Sequence, residues 1–215
     1  MKEIGGYFEF ERYGAGTYHT DAILLNTGRS ALKYIIRAYG IKEIFIPYYT
    51  CPVVWDALYE EGCKITFYDI NGKFQPMIEF PSDAYVLTND WFGVCGGNVV
   101  DLADKYCNLI VDNAQSFYAL PKGIGSFYSP RKFFGLPDGG LLICDKRIDK
   151  EFPRDTSYGR TGHLLKRLDL CAGDGYEDFK ANEKSLSNQP IMEMSNLTHT
   201  LMGNIDYERT KRTRL

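Results

Sequence analysis

From residue 20 to residue 145 the chain alternates short apolar runs with stretches of helical period. Residues 22–25 (Ala-Ile-Leu-Leu) read as a buried strand, and residues 26–30 (Asn-Thr-Gly-Arg-Ser) as the polar turn after it. Leu32, Ile35, Ile36 and Tyr39 then recur at i, i+3, i+4 and i+7, which predicts an amphipathic helix stopped at Gly40. Residues 43–46 form the next strand, ended by Pro47. Thr50 or Cys51 caps a helix with Pro52 at its first position, running to Glu61 and closed by Gly62. Residues 64–68 are again strand, with a tight turn at Asn71-Gly72. Strands at 85–88 and 109–111, the latter ending on Asp112, flank a short helix at 99–106. Residues 126–128 and 141–144 make a pair of strands around the loop 129–140.

Strands alternating with helices require crossover connections, so the predicted class is α/β, a mostly parallel sheet with helices on both faces. Ligands in such sheets sit at the carboxyl ends of strands. Residues 146–190 are polar, rich in Gly, Asp and Lys, and read as surface loops with short helices. Helical spacing returns at Met194, Leu197, Leu201 and Ile205, and residues 208–214 form a charged helical run with a solvated face.

The 215 residues, 44% hydrophobic and 25% charged, suffice for a full core without disulfides or a structural metal. A net charge of −3 gives no electrostatic reason to expect a nucleic-acid partner. No apolar run approaches the roughly 18 residues of a membrane span, and residues 1–7 lack the apolar core of a signal peptide. A cytoplasmic protein is therefore expected. The six cysteines form no CxxC pair and the three histidines no HxxxH or HExxH, which argues against a metal site.

Three strand-end loops carry groups suited to chemistry. Thr27-Gly28-Arg29-Ser30 opens directly into a helix, whose free N–H groups and dipole favour a phosphate; neither GxGxxG nor a P-loop is present, which disfavours a plain NAD- or ATP-binding protein. Asp112 emerges from a buried strand with Gln115 three residues on, where a carboxylate needs a partner unless it merely caps the next turn. In the third loop, Lys132 stands between Ser129 and the apolar Phe133-Phe134, where desolvation would lower an amine's pKa and make it nucleophilic. The plain alternative is a surface lysine in a β-turn.

Together, residues 27–32 (Thr-Gly-Arg-Ser-Ala-Leu), 111–115 (Val-Asp-Asn-Ala-Gln) and 129–132 (Ser-Pro-Arg-Lys) with Asp138-Gly139-Gly140 resemble the signatures of the DegT/DnrJ/StrS aminotransferases. These are pyridoxal 5′-phosphate (PLP) enzymes of the aspartate-aminotransferase fold that mostly aminate keto groups of nucleotide-linked sugars. The resemblance implies that Lys132 forms the internal aldimine and moves the proton between Cα and the cofactor. Asp112 would pair with the pyridinium nitrogen and Gln115 with the ring's 3′ oxygen. Gly28, Arg29, Ser30 and Ser129 would hold the phosphate. The family's serine five residues before the lysine is Phe127 here, so Ser126 or Ser129 takes over; its ring-stacking aromatic falls near Cys51, so Tyr49 or Trp91 supplies that face.

The implied activity is transfer of an amino group from an amino acid such as glutamate to a keto-sugar nucleotide, in surface-polysaccharide or secondary-metabolite biosynthesis, by a homodimer whose sites borrow residues across the interface. The implied organisation is a PLP-binding large domain over residues 1–215, with 146–215 a connecting region leading toward a small C-terminal domain that is missing, so that the stripe of Met194, Leu197, Leu201 and Ile205 stands partly uncovered. The rivals are a non-catalytic remnant of the fold and a sugar 3-dehydratase, whose lysine is replaced by histidine; Lys132 speaks against the latter.

Overall fold

The computed structural model describes residues 8–14 and 16–214; residues 1–7, read above as no signal peptide, lie outside the described residues, as does Leu215. Seven strands, β1 (Ile23–Leu25), β2 (Glu43–Pro47), β3 (Lys64–Tyr68), β4 (Val86–Asn89), β5 (Leu109–Asp112), β6 (Gly125–Tyr128) and β7 (Gly140–Cys144), form one sheet in the order β1-β7-β6-β5-β4-β2-β3. β7 is antiparallel to both neighbours and every other pair is parallel, so six strands present their carboxyl ends along one rim. The expected α/β class, mostly parallel, is the observed one.

Side-chain alternation along these strands builds two faces. Leu87, Ile110, Phe127 and Leu142 pack beneath α1 (Gly28–Tyr39) and α2 (Pro52–Glu60). Val86, Leu109 and Val111 face the other way, onto Val99 of α3 (Gly96–Lys105). Tyr128 and Leu141 meet Phe117, Leu136, Met194 and Met202 in a third cluster.

The helix α1 is the centre of this packing. Thr27 Oγ1 accepts from Ser30 N at 3.0 Å as its N-cap, and Gly40 closes it in the left-handed conformation at φ 68°. Residues 30–36 are all buried, and each fully buried Leu or Ile there contributes about 1.5–3 kcal/mol. Even Lys33 is inside, its ammonium paired with Glu60 of α2 and donating to Gln189 O at 2.9 Å.

Most boundaries fall within a residue of expectation, and three differences stand out. β4 runs one residue further, to Asn89, because Asn89 pairs with Asp112 across the sheet. α3 starts at Gly96 rather than Val99: glycines weaken helix interiors, but first-turn amides need no intrahelical acceptor. The final apolar period is broken into α6 (Asn196–Gly203) and α7 (Tyr207–Arg214). Of the stripe expected to stand partly uncovered, Met194 is buried and Leu201 and Ile205 are partly buried against the third cluster, while Leu197 is half-buried outside it. Between 146 and 190 lie α4 (Gly162–Asp169) and α5 (Tyr176–Ser185) among loops, as read. No helix among the described residues is long and apolar enough to cross a membrane.

Candidate active site

At the carboxyl rim of the sheet a cavity of about 250 Å³ opens between the loops that follow β2, β4, β5 and β6. Its walls are Tyr49, Thr50 and Cys51 after β2; Asn89, Asp90, Trp91 and Phe92 at the end of β4; Asp112, Ala114 and Gln115 at the end of β5; and Lys132 beyond β6. A larger, mostly apolar groove of about 570 Å³ lies between residues 9–12, α4 and α6, away from the strand ends. The smaller cavity holds the lysine, the carboxylate and the amides, and it is the candidate site.

Asp112 is its buried floor. Its Oδ1 accepts from Ala114 N at 2.8 Å in an Asx turn, and its Oδ2 from Asn89 Nδ2 at 3.2 Å. Burial pushes the carboxyl up to about 6, opposed by the Ala114 N–H and by the charge of Lys132. Asn89 Nδ2 also donates to Thr50 Oγ1 at 3.1 Å, while Asn89 Oδ1 is buried without a partner.

Gln115 Oε1 accepts from Phe92 N at 2.7 Å, which leaves the two N–H groups of its amide for the cavity. This bond holds Phe92 in a left-handed conformation (φ 57°), and the residue is exposed at the cavity. A non-glycine residue in that region is strained, and such strain persists where surroundings over-determine it. Trp91 is buried, its Nε1 donating to Tyr49 O at 2.9 Å and its ring stacked on Phe74. Tyr49 is exposed and also lines the cavity.

Lys132 ends a single 3-10 turn (Pro130–Lys132) that follows β6 and is anchored by Lys132 N donating to Ser129 O at 3.1 Å. Its side chain is exposed at the cavity. The phenylalanines expected to desolvate it do not: Phe133 and Phe134 turn their rings onto Phe117, at 5.7 and 4.9 Å between centroids. The nearby ionisable group that senses Lys132 is Asp112.

Gly28, Arg29, Ser30 and Ser129 do not line the cavity. Gly28 and Arg29 begin α1, where backbone N–H groups lack intrahelical acceptors. Arg29 is half-buried; burial lowers its pKa, Glu183 of α5 raises it, and Arg131 lowers it, with Cys51 of the cavity wall also felt. Arg131 is itself ion-paired with Glu183. Ser30 Oγ is buried and donates to Asn26 Oδ1 at 2.7 Å, so this hydroxyl serves the cap. Ser126 Oγ is committed to the backbone of Lys122, whereas Ser129 is half-buried and makes no capping bond. Asp138, fully buried with its carboxyl pushed up by burial, accepts from Ser195 N and Oγ at 2.8 Å and from Thr198, and so anchors the start of α6.

The site therefore brings together Lys132, Asp112 and Gln115. Asn89, Thr50 and Phe92 complete it without having been anticipated; the one available signal was the polar Asn-Asp pair ending a strand that runs beside Asp112.

No protein-family model matches the chain, and no curated protein matches it. Solved structures similar to it are DegT/DnrJ/EryC1/StrS aminotransferases and related proteins. One, from Brucella abortus, is 19% identical over 60% of this chain and 42% of its own, with a TM-score of 0.45. The aminotransferase TlmJ from Streptoalloteichus hindustanus is 17% identical over 59% of this chain and 40% of its own (TM-score 0.49). The E. coli GDP-4-keto-6-deoxy-D-mannose-3-dehydratase with bound hydrated PLP is 18% identical over 58% and 39% (TM-score 0.46). At these identities the likeness is one of backbone arrangement, and the chain spans about two fifths of the length of the proteins it matches.

Proposed function

We propose that the rim cavity holds PLP and that the chain is the cofactor-binding large domain of an aminotransferase acting on keto-sugar nucleotides, with an amino acid such as glutamate as donor. The observation that carries this is the meeting of Lys132, Asp112 and Gln115, from two separate loops, on one cavity. The donor set fits the group: a primary amine for an aldehyde, a buried carboxylate for a pyridine nitrogen, and a free amide N–H pair for a ring hydroxyl oxygen. None of the groups we assign to the phosphate lines the cavity itself: they are the first-turn amides of Gly28 and Arg29, the Arg29 guanidinium and the Ser129 hydroxyl, with Ser30 taking part through its place in the first turn.

When bound, PLP supplies an electron sink conjugated to the substrate's Cα. The rest is the protein's work. Asp112, held by two donors, keeps a negative charge against the ring nitrogen and so keeps that nitrogen protonated. Gln115, locked by Phe92 N, orients the ring from its oxygen-bearing edge. Lys132 is the base and acid: its Nζ takes the proton from the substrate and returns it. Phe92 and Tyr49 are the exposed aromatic faces that wall off the ring. The 3-dehydratase alternative asks for histidine at the position of Lys132. A homodimer belongs to this proposal as the unit that completes the sugar site.

Incubation with PLP, borohydride reduction and peptide mass spectrometry test the reading. The pyridoxyl mass is expected on Lys132 and absent from Lys132→Ala, whose circular dichroism stays that of the parent. Attachment at another lysine, such as Lys122, would refute it. Turnover is then assayed separately with glutamate and a keto-sugar nucleotide.

A further inference from the structure

We infer that Asn89 is the positioning residue for Asp112, tying the carboxylate on the cavity floor to Thr50 on the facing wall. The purpose of this tie rests on the PLP reading above; its existence does not. Asn89 closes β4 directly opposite Asp112 in the β4–β5 register. Its single NH₂ group spans two loops, with one N–H to Asp112 Oδ2 at 3.2 Å and the other to Thr50 Oγ1 at 3.1 Å.

The orientation of that amide follows from the carboxylate. Turned over, Asn89 would set its carbonyl oxygen against Asp112 Oδ2, acceptor against acceptor. In the observed orientation its Oδ1 is buried and unpartnered. The two bonds donated by the amide nitrogen are therefore what orient this side chain.

With Ala114 N on Oδ1, the carboxylate is held by one donor on each oxygen, which fixes its plane as well as its charge. The other charged or titratable side chains around the cavity are Lys132, Asp90, Cys51 and Tyr49, and of these Lys132 favours the ionised form of Asp112. Removing the Asn89 donor leaves a buried carboxylate with one hydrogen bond, and such a group takes up a proton more readily. A protonated Asp112 cannot hold a protonated ring nitrogen.

The test is a carbon-13 carboxyl titration of Asp112 in ligand-free protein, followed by PLP titration read by fluorescence. Asn89→Leu keeps the shape without the donor; Thr50→Val keeps the donor and frees its far end. We expect the Asp112 midpoint to rise by a unit or more in Asn89→Leu and by less in Thr50→Val. PLP affinity at neutral pH should fall tenfold or more in Asn89→Leu, and the deficit should shrink as pH rises past the new midpoint. An unmoved midpoint in Asn89→Leu, with the circular dichroism of the parent, overturns the inference; if that variant does not fold, an unmoved midpoint in Thr50→Val overturns it. A midpoint that moves in a protein taking up no PLP sustains the positioning role while the cofactor reading falls.

Discussion

Asp112 carries an energetic cost that its surroundings only partly relieve. Its carboxyl ionises near 3.8 in an unfolded chain and at about 6 in the fold, because burial disfavours the charge. Between those values the native state holds more protons than the unfolded one, so stability falls as pH rises, and the loss is complete above about pH 6. A shift of about two units corresponds to roughly 3 kcal/mol. Asp112→Asn removes the titration. The stability of that variant relative to the parent, measured by urea unfolding without ligand, should therefore climb from pH 4 to pH 7 by up to about 3 kcal/mol, while PLP binding collapses. A flat difference across that range would show that the carboxyl is not raised by the fold. Lys132, Asp112 and Gln115 could be read from the sequence because each follows an apolar run that declares a strand end. Asn89 could not: its role depends on lying opposite a residue 23 positions away. Nor could the fate of Ser30, whose hydroxyl goes to Asn26 rather than outward.

At the junction of α1 with β7 two backbones pass very close to each other. A Cβ on Gly140 would stand 2.2 Å from Thr27 O and 2.8 Å from Gly28 N, against backbone that cannot yield without shifting the cap of α1. Gly140→Ala should therefore destabilise by several kcal/mol, well beyond the roughly 1 kcal/mol of an ordinary substitution, and should reduce PLP uptake as well, since the same turn is proposed to receive the phosphate. Thermal unfolding together with PLP titration checks both; an unchanged melting temperature would refute the clash. Thr27→Ala, which removes only the cap, should cost about 0.5–2 kcal/mol. The Gly-Gly after Asp138 was legible as a motif, yet the contact that demands it joins segments more than a hundred residues apart. The break between α6 and α7 was hidden for the opposite reason: the apolar period continues through it, and only packing into the aromatic cluster shows that Ile205 follows a turn.

Across the whole molecule, protection should follow depth in the sheet. Every residue of β5 and β6 is buried, whereas α7 buries none. Amide exchange should be slowest in those two strands and fastest in α7, since local opening follows buried contact; equal exchange in α7 and β5 would contradict this ranking. The predominantly parallel sheet was readable from alternating strand and helix signals. The placing of β7 between β1 and β6 was not, because antiparallel and parallel strands of this apolar kind look alike in isolation. That placing bears on how the chain is made. Among the seven strands β1 pairs with β7, through residues such as Ile23 and Leu142, about 120 residues apart, and its other edge meets a segment later still in the chain, Met194 N donating to Leu24 O at 3.1 Å. Contacts of such separation are slow to close. On the ribosome, where synthesis proceeds at roughly 5–20 residues per second, the first strand would wait several seconds for β7, the earlier of its two backbone partners, to emerge. Until then the Thr27–Ser30 turn lacks its β7 neighbour, so any competence to hold an anion there would be acquired late, after β2 to β6 have had time to assemble.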